Sequence, residues 1–398
     1  MADLDIEWLT SSIGKQVTTE VSLFSDPLIA ASKLRAKYPE IDSEKIRQSI
    51  AQANLQMKSS ANGIPEHFLL TDDGLQQATR TKVAKYRADF VKNFFGKQRI
   101  ADLTCGLGFD SYFFAEAGHS VTAIEKDGLL SKIAKNNLAP VFVDVENLPA
   151  EDYQIPVGTQ LIFIDPARRD PKGAKTLFGQ TKRILDPNAW SPSWNFVQEL
   201  ATKYKVIAKV APGIPEELIA DWDAYWISCD GELVETMMIS GGTGKRIAVL
   251  LNDDKVLEIP GGNATRVAPI GDYLIIPNSA LIRASSLDYL AEQFDAGLVN
   301  EHIAWLTTAS SSALSYKSPA AQVLRINESV KFNEKELAKL ISKYSAGALT
   351  VMTRGVTINP EILRKKLLKK PVKGGPEIIV AIYRDDSGPI SLVCSRLP

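Results

Sequence analysis

Apolar and polar positions change rhythm along the chain, and each change marks a different kind of structure. Residues 1–97 keep helical spacing. Pro27 to Tyr38 and Ser43 to Gln56 repeat apolar residues every three or four positions, and Asp42-Ser43-Glu44 offers a cap with first-turn acids. Thr71-Asp72-Asp73 opens a further helix that gathers Leu75, Ala78, Val83, Ala84, Tyr86 and Phe90 near one face. Lys82, Lys85, Arg87 and Lys92 fall on the other, which reads as a solvated face. The pattern predicts a helical cap over residues 1–97.

From residue 98 to 255 short apolar runs alternate with helical stretches. Strands are expected at Arg99 to Leu103, Val121 to Ile124, Val141 to Val143, Leu161 to Ile164, Val206 to Val210, Tyr225 to Cys229 and Arg246 to Leu251, the last of them antiparallel. Helices are expected at Ser111 to Ala117, Leu129 to Asn137 and Pro215 to Trp222. Leu161-Ile162-Phe163-Ile164 is apolar at every position, as a central strand buried on both faces requires. Repeated strand–helix units predict an α/β fold: a doubly wound, Rossmann-like sheet of seven strands with ligands at the strands' C-terminal ends.

Beyond residue 255 the rhythm is that of small α+β modules. Residues 256–325 are expected to be a ferredoxin-like connector, with an edge strand at Tyr273 to Pro277 and a helix at Ser279 to Phe294. Residues 326–398 add helices at Asn333 to Tyr344 and Pro360 to Lys369. Their strands are Ala348 to Thr353, Glu377 to Tyr383 and Ile390 to Ser395.

Charge changes this picture in one place. The chain carries a formal net charge of −1, yet from Ile326 to Pro398 there are 13 Lys and Arg against 7 Asp and Glu, a local +6 that leaves −7 elsewhere. A basic end on an acidic protein suits a nucleic-acid partner. No apolar run approaches the roughly 18 residues that span a bilayer, and the N-terminus lacks a basic-then-apolar leader. The three cysteines, Cys105, Cys229 and Cys394, form no CxxC pair, and His67, His119 and His302 have no acids at ligand spacing. The expectation is a cytoplasmic protein with no membrane span and no metal; composition leaves oligomeric state open.

Candidate chemistry centres on Gln98 to Asp127. A buried strand enters the loop Thr104-Cys105-Gly106-Leu107-Gly108-Phe109-Asp110, a helix follows, and the second strand ends in Glu125-Lys126-Asp127. Glycines let a ligand lie against the main chain. Glu125, 17 residues after Gly108, stands where a ribose diol donates two charge-assisted hydrogen bonds. A dinucleotide loop needs a third glycine, but Ser111 holds that position, and Asp110 would repel a pyrophosphate at the helix N-terminus. Asp102 suits a ligand ammonium. A ribose, an amino group and no phosphate describe S-adenosylmethionine.

At these residues the chain resembles the class I methyltransferases, whose first motif is Asp-x-x-x-Gly-x-Gly. Asp102, Gly106 and Gly108 match it, Glu125 matches the ribose acid, and the resemblance assigns Asp144 to the adenine amino group. Thr104, Asp110 and Lys126 complete the expected cofactor set. A second motif, Asp165-Pro166-Ala167-Arg168, ends the fourth expected strand and faces the methyl donor. Enzymes that methylate nucleic-acid amines carry Asp/Asn-Pro-Pro-aromatic there, where the acid and a carbonyl accept the amine's protons and the ring stacks on the base. This chain has no ring in that place. Arginine in the fourth position is similar to the uridine C5-methyltransferases, for which Cys229 would be the nucleophile. Cys229 falls a strand too late and reads as a structural thiol, and Cys105 reads as a small loop residue. Asp165, Pro166 and Arg168 are the expected catalytic group. Arg168, Arg169, Lys172, Lys175, Lys182 and Arg183 make a basic loop at the site's mouth, either solvated or binding phosphate. Gly241-Gly242-Thr243-Gly244-Lys245 lacks the first glycine of a phosphate loop and leads into a strand, so it reads as a turn.

The whole arrangement resembles a bacterial family of class I methyltransferases with a C-terminal THUMP-like domain. Further marks are Gln77-Ala78-Thr79, Lys209-x-x-Pro212-Gly213, Pro277-Asn278-x-Ala280 and Arg354-Gly355. The resemblance implies an S-adenosylmethionine-dependent enzyme with an RNA partner, and the leading reading is methylation of a base in structured RNA, tRNA or rRNA. Helical spacing near Lys365, Lys369 and Lys370 gives either a basic ridge along the phosphates or a solvated helix face. Two other readings compete: an RNA-binding or assembly protein that retains a cofactor fold, and a nicotinamide-dependent oxidoreductase.

Overall fold

The computed structural model describes residues 4–60, 62–167, 184, 186–253 and 255–397. Among them, six α-helices precede the first strand: α1 (Ile6–Thr10), α2 (Ser12–Glu20), α3 (Pro27–Lys37), α4 (Ser43–Ser60), α5 (Asp72–Gln77) and α6 (Thr81–Phe95); the single helix expected from Thr71 is broken between α5 and α6. Asp5, Ser11, Asp26 and Thr71 each accept a backbone N–H in the first turn of α1, α2, α3 and α5. Such caps satisfy donors the helix itself leaves open. The apolar faces of these helices, including Trp8, Val17, Leu34 and Ile46, share one core with Phe68 between α4 and α5 and with Leu107, Phe109 and Ile133. The cap is therefore packed against the glycine loop.

By its contacts the chain divides into two units, residues 1–210 with 237–242, and residues 211–236 with 243–398. The sheet of the first unit is built from β1 (Arg99–Asp102), β2 (Ser120–Ile124), β3 (Asp144–Glu146), β4 (Leu161–Ile164), β5 (Lys205–Val210) and, after β6 (Asp223–Cys229), the last residues of β7 (Glu232–Ile239). Its order is β3-β2-β1-β4-β5-β7. Each pair among β1 to β5 is parallel. Helices α7 (Phe109–Glu116), α8 (Gly128–Leu138) and α9 (Trp194–Ala201) supply the crossovers. All four residues of β4 are buried, as its unbroken apolar run requires. Consecutive parallel strands with the order reversing beside β1 open a crevice at the C-terminal ends of β1 and β4.

In the second unit the order is β7-β6-β8-β9, where β8 (Arg246–Asn252) and β9 (Lys255–Pro260) follow the β6–β7 hairpin. That hairpin turns through Asp230 and Gly231, both at positive φ (52° and 83°), the conformation a two-residue turn demands. Strand β8 runs parallel to β6 and antiparallel to β9. The expected antiparallel final strand is therefore corrected. The sequence reading omitted β7, whose Glu232 and Glu235 interrupt its apolar pattern, and so misjudged what β8 pairs with. The expected helix at Pro215 to Trp222 is a single 3-10 turn, Glu216–Leu218.

A further sheet of seven strands lies within the second unit. Its members are β10 (Tyr273–Pro277), β11 (Gly297–Asn300), β12 (Ile303–Thr308), β13 (Ala321–Lys331), β14 (Ala348–Arg354), β15 (Glu377–Asp385) and β16 (Gly388–Arg396). They are ordered β11-β12-β10-β13-β16-β15-β14. Helices α10 (Ser279–Arg283), α11 (Leu287–Phe294), α12 (Glu334–Lys343) and α13 (Pro360–Leu367) complete it. Strand β10 is interior, pairing with β12 and β13, and not the edge strand expected; Pro277 is its last residue, where a missing donor matters least. The boundary expected between residues 325 and 326 falls inside β13, which pairs with both β10 and β16. Connector and tail thus share one sheet.

Candidate active site

Strand β1 delivers its last residue, Asp102, into the bend of the glycine loop. The loop then runs along the strand tips: the Leu103 amide donates to the Phe163 carbonyl at 3.0 Å and the Cys105 amide to the Ile124 carbonyl at 2.9 Å. Gly106 and Gly108 both adopt positive φ, 56° and 89°. They need that freedom for different reasons. A Cβ at Gly108 would come within 2.9 Å of Leu138, so this glycine lets α8 pack against the loop. A Cβ at Gly106 would meet nothing within 4 Å; the main chain there faces open space.

Glu125 closes the wall of that space. Its Oε2 accepts the Gly106 amide at 2.9 Å and its Oε1 the Asp127 amide at 2.8 Å. Burial pushes this carboxyl above the usual range, against the two amides that favour its charge. Each oxygen keeps a lone pair for a further donor. The open backbone at Gly106 beside this acid leaves room for a ligand that brings donors of its own.

Asp102 is turned inward. Its Oδ1 accepts the Thr104 amide at 3.1 Å, its Oδ2 accepts the Ser111 hydroxyl at 2.6 Å, and the residue is fully buried. Desolvation raises its pKa to about 6, opposed by those two hydrogen bonds and assisted by the nearby carboxylates of Asp165 and Glu125. The direct contact expected with a ligand ammonium thus gives way to a role in shaping the loop. Ser111, in the place of a dinucleotide glycine, is packed and bonded to Asp102.

At the tip of β4 the Asp165 amide donates to Thr104 Oγ1 at 2.7 Å, which ties the second motif to the first. Asp165 Oδ2 lies 2.6 Å from Lys209 Nζ. Lys209 also donates to Thr79 Oγ1 at 3.0 Å, and Thr79 donates in turn to Asp110 Oδ2 at 2.7 Å. Asp110 Oδ1 is ion-paired with Arg87, whose side chain is fully buried with its guanidinium over the Phe163 ring. Asp110, expected beside the cofactor, therefore serves as the anchor of α6. Thr79 and Lys209 were not among the expected site residues. Their signals were a lysine interrupting the apolar β5 near its end and the Gln77-Ala78-Thr79 mark ahead of α6.

Other expected residues fall elsewhere. The third strand begins at Asp144 and ends at Glu146; of the expected Val141 to Val143 run, Val141 ends a 3-10 turn and Phe142 and Val143 link it to the strand. Asp144 is level with Thr122 and exposed, two residues before the strand's end. Lys126 Nζ donates to Ser191 Oγ at 2.7 Å, and Ser191 exchanges two backbone hydrogen bonds with Ala167. Arg168, Arg169, Lys172, Lys175, Lys182 and Arg183 lie outside the described residues. Cys229 is 1% exposed at the end of β6, with Sγ 3.6 Å from Asp230 Oδ2, a poor setting for a nucleophile. Burial pushes the Cys105 thiol well up. His119 is buried, its Nδ1 accepting the Gln98 amide at 3.0 Å, and burial lowers its pKa. No group of three or more potential metal ligands occurs among the described residues. The turn at Thr243 to Lys245 directs two amides to Asp223 Oδ1, at 2.8 and 2.9 Å, so those donors are already used.

In the tail, α13 buries Leu363 and Leu367, as its periodicity predicts. The helix ends at Leu367, so Lys369 and Lys370 extend from the following turn and not from the helix. Arg364 pairs with Glu361 and Lys366 with Glu334. Lys365, Lys369, Lys370 and Lys373 are exposed.

Comparison with known proteins agrees with this layout. Residues 321–396, from the first residue of β13 to the last of β16, match the family model described as THUMP domain-like. A curated protein of Mycobacterium tuberculosis, recorded in strains CDC 1551 and H37Rv and described as an uncharacterized S-adenosylmethionine-dependent methyltransferase, is similar over 337 residues. It is 26% identical, covering 82% of this chain and 87% of that protein. A crystal structure from Porphyromonas gingivalis W83, presented as a candidate methyltransferase, covers 100% of both chains at 16% identity with a TM-score of 0.71. The chain shares the fold of that Porphyromonas gingivalis structure, and its last four strands form the THUMP domain-like segment. No described helix is long and apolar enough to cross a membrane.

Proposed function

We propose that the protein methylates a base in structured RNA, tRNA or rRNA, with Asp165 serving the acceptor. It is an S-adenosylmethionine-dependent methyltransferase. The observation that carries the cofactor reading is the pairing of Gly106 and Glu125: a main-chain turn open to solvent, braced by a carboxylate that keeps lone pairs for a ribose. The mycobacterial relative supports the same cofactor.

When bound, S-adenosylmethionine supplies a methyl group on a sulfonium, ready for transfer to a nucleophile. The chain's own residues do the rest. Glu125 accepts the diol and fixes the rotation of the nucleoside. Asp102, through Thr104 and Ser111, keeps the loop in the shape that leaves Gly106 open. The exposed acidic face of β3, Asp144 and Glu146, is the source of an acceptor for the adenine amino group. Asp165, bound through its amide to Thr104, accepts a hydrogen bond from the target and directs its lone pair. Pro166 stiffens that turn, Arg168 and Arg169 neutralise phosphate, and Lys126 braces the strand tip against Ser191. The RNA part rests on the THUMP domain-like segment and on the exposed Lys365, Lys369 and Lys370. Titration calorimetry with S-adenosylmethionine, S-adenosylhomocysteine and NAD tests the cofactor: binding of the first two and none of the third is expected. The reverse would establish the oxidoreductase alternative.

A further inference from the structure

Five side chains from separate elements of the first unit form one directional chain: Arg87 on α6, Asp110 on α7, Thr79 between α5 and α6, Lys209 on β5 and Asp165 after β4. The hydroxyl of Thr79 has a single proton, and it goes to Asp110 Oδ2 at 2.7 Å. Its oxygen therefore accepts from Lys209, at 3.0 Å, and cannot donate back. That bond and the 2.6 Å ion pair to Asp165 Oδ2 hold the ammonium between two acceptors, with the lysine side chain 15% exposed. Asp165 is 33% exposed, so one face of its carboxylate stays accessible while Oδ2 is occupied. Fixed charges then alternate from Arg87 to Asp165, and neighbouring groups oppose rotation of either end.

We infer that Lys209 and Thr79 are positioning residues for Asp165: Thr79 holds the ammonium of Lys209, and Lys209 occupies Oδ2 so that Oδ1 alone is presented to the substrate. This rests on the methyltransferase reading above. A carboxylate held in that way accepts one hydrogen bond in one direction, which suits an N–H donor on the acceptor base. A ring carbon carries no polar N–H at the reacting atom, so before transfer the fixed oxygen has no hydrogen bond there to accept and nothing to orient. The substrate class is therefore a nitrogen nucleophile, and the helical cap contributes to turnover through Thr79.

The test uses the full chain with radiolabelled S-adenosylmethionine and bulk bacterial RNA. Lys209→Met should lower kcat by about 100-fold, in line with the effect of misplacing a reacting group by an ångström. Cofactor affinity should stay within about threefold, and the label should map to a nitrogen. Thr79→Val should lower kcat by about tenfold, while Thr79→Ser, which keeps the hydroxyl, should stay near wild type. A kcat for Lys209→Met within threefold of wild type, or equal losses in both Thr79 variants, overturns the positioning role. A label on carbon overturns the substrate class. A readout without turnover is the nitrogen resonance of the Lys209 ammonium, slowed in exchange by its two acceptors. It should be visible in the wild type and lost in Asp165→Ala; its absence in the wild type overturns the pairing even if transfer cannot be measured. Failure of the wild type to bind S-adenosylmethionine would instead remove the proposed function and leave this resonance intact.

Discussion

The carboxylate of Glu125 accepts the backbone N–H of Gly106 at 2.9 Å, so the acid at the end of β2 and the open turn after β1 form one surface. On the proposed ribose role, Glu125→Ala should weaken S-adenosylmethionine binding by about 1.5–3 kcal/mol, the range for losing charged hydrogen bonds. Glu125→Gln should lose less, since its amide oxygen can still accept. Calorimetry on folded variants checks both; unchanged affinity in Glu125→Ala would detach the ribose from this strand end.

Asp102 predicts a dependence of stability on pH. Its folded-state pKa is raised from the ordinary 3.8 to about 6, chiefly by burial. An acid that holds its proton more tightly when folded stabilises the protein below the unfolded pKa, and that contribution is lost as pH rises through the folded value. The window runs from about pH 4 to 6, and the shift corresponds to about 3 kcal/mol. Asp102→Asn keeps an acceptor for Thr104 without the charge. Denaturant melts should show the difference between variant and wild type growing in the variant's favour from pH 4 to 7. A difference that stays constant with pH would mean the carboxyl titrates normally.

Arg87 and Asp110 form an ion pair with side-chain exposures of 0% and 10%. Removing one member strands the other in a poorly solvated site, so Arg87→Met should cost about 3–5 kcal/mol of stability. Combining it with Asp110→Leu should cost less than the single change, because no charge is left behind. Chemical unfolding of the single and double variants measures this. A double variant less stable than Arg87→Met would show that the pair contributes more than mutual compensation.

Much of this was legible in the sequence, because the relevant signals are local. The β1 loop and the apolar β4 show their character within ten residues, and Asn359, Leu363 and Leu367 define the start and buried face of α13. What was not legible depended on pairing. Asp110 looked like a cofactor residue by its position at the start of a helix, and only the distant Arg87 and Thr79 explain its direction. Strand β13 has polar residues at Arg325, Asn327 and Glu328 and a register shift between Ile326 and Glu328, so its period was blurred. Lys209 carries no local sign that its partner is Asp165. Such contacts span tens of residues, and no periodicity encodes them.

The exposed lysines of the tail predict a response to salt. Neutralising Lys365, Lys369 and Lys370 together should weaken RNA binding and flatten the slope of log K against log salt by roughly two units. Cofactor affinity should not change. Filter binding across a salt series decides the matter. An unchanged slope would leave these side chains as solvated surface, and RNA recognition would have to come from other residues.

Transfer of a labelled methyl group from S-adenosylmethionine to bulk bacterial RNA, with Asp165→Ala beside the wild type, tests the central claim most directly. The wild type should label RNA, and the variant should fall below about one-hundredth of that rate while binding the cofactor within a few-fold of wild type. That combination would assign Asp165 to the acceptor and the glycine loop to the donor. Labelling by the variant at a tenth of the wild-type rate or more, or a wild type that binds S-adenosylmethionine and labels no RNA, would contradict the account.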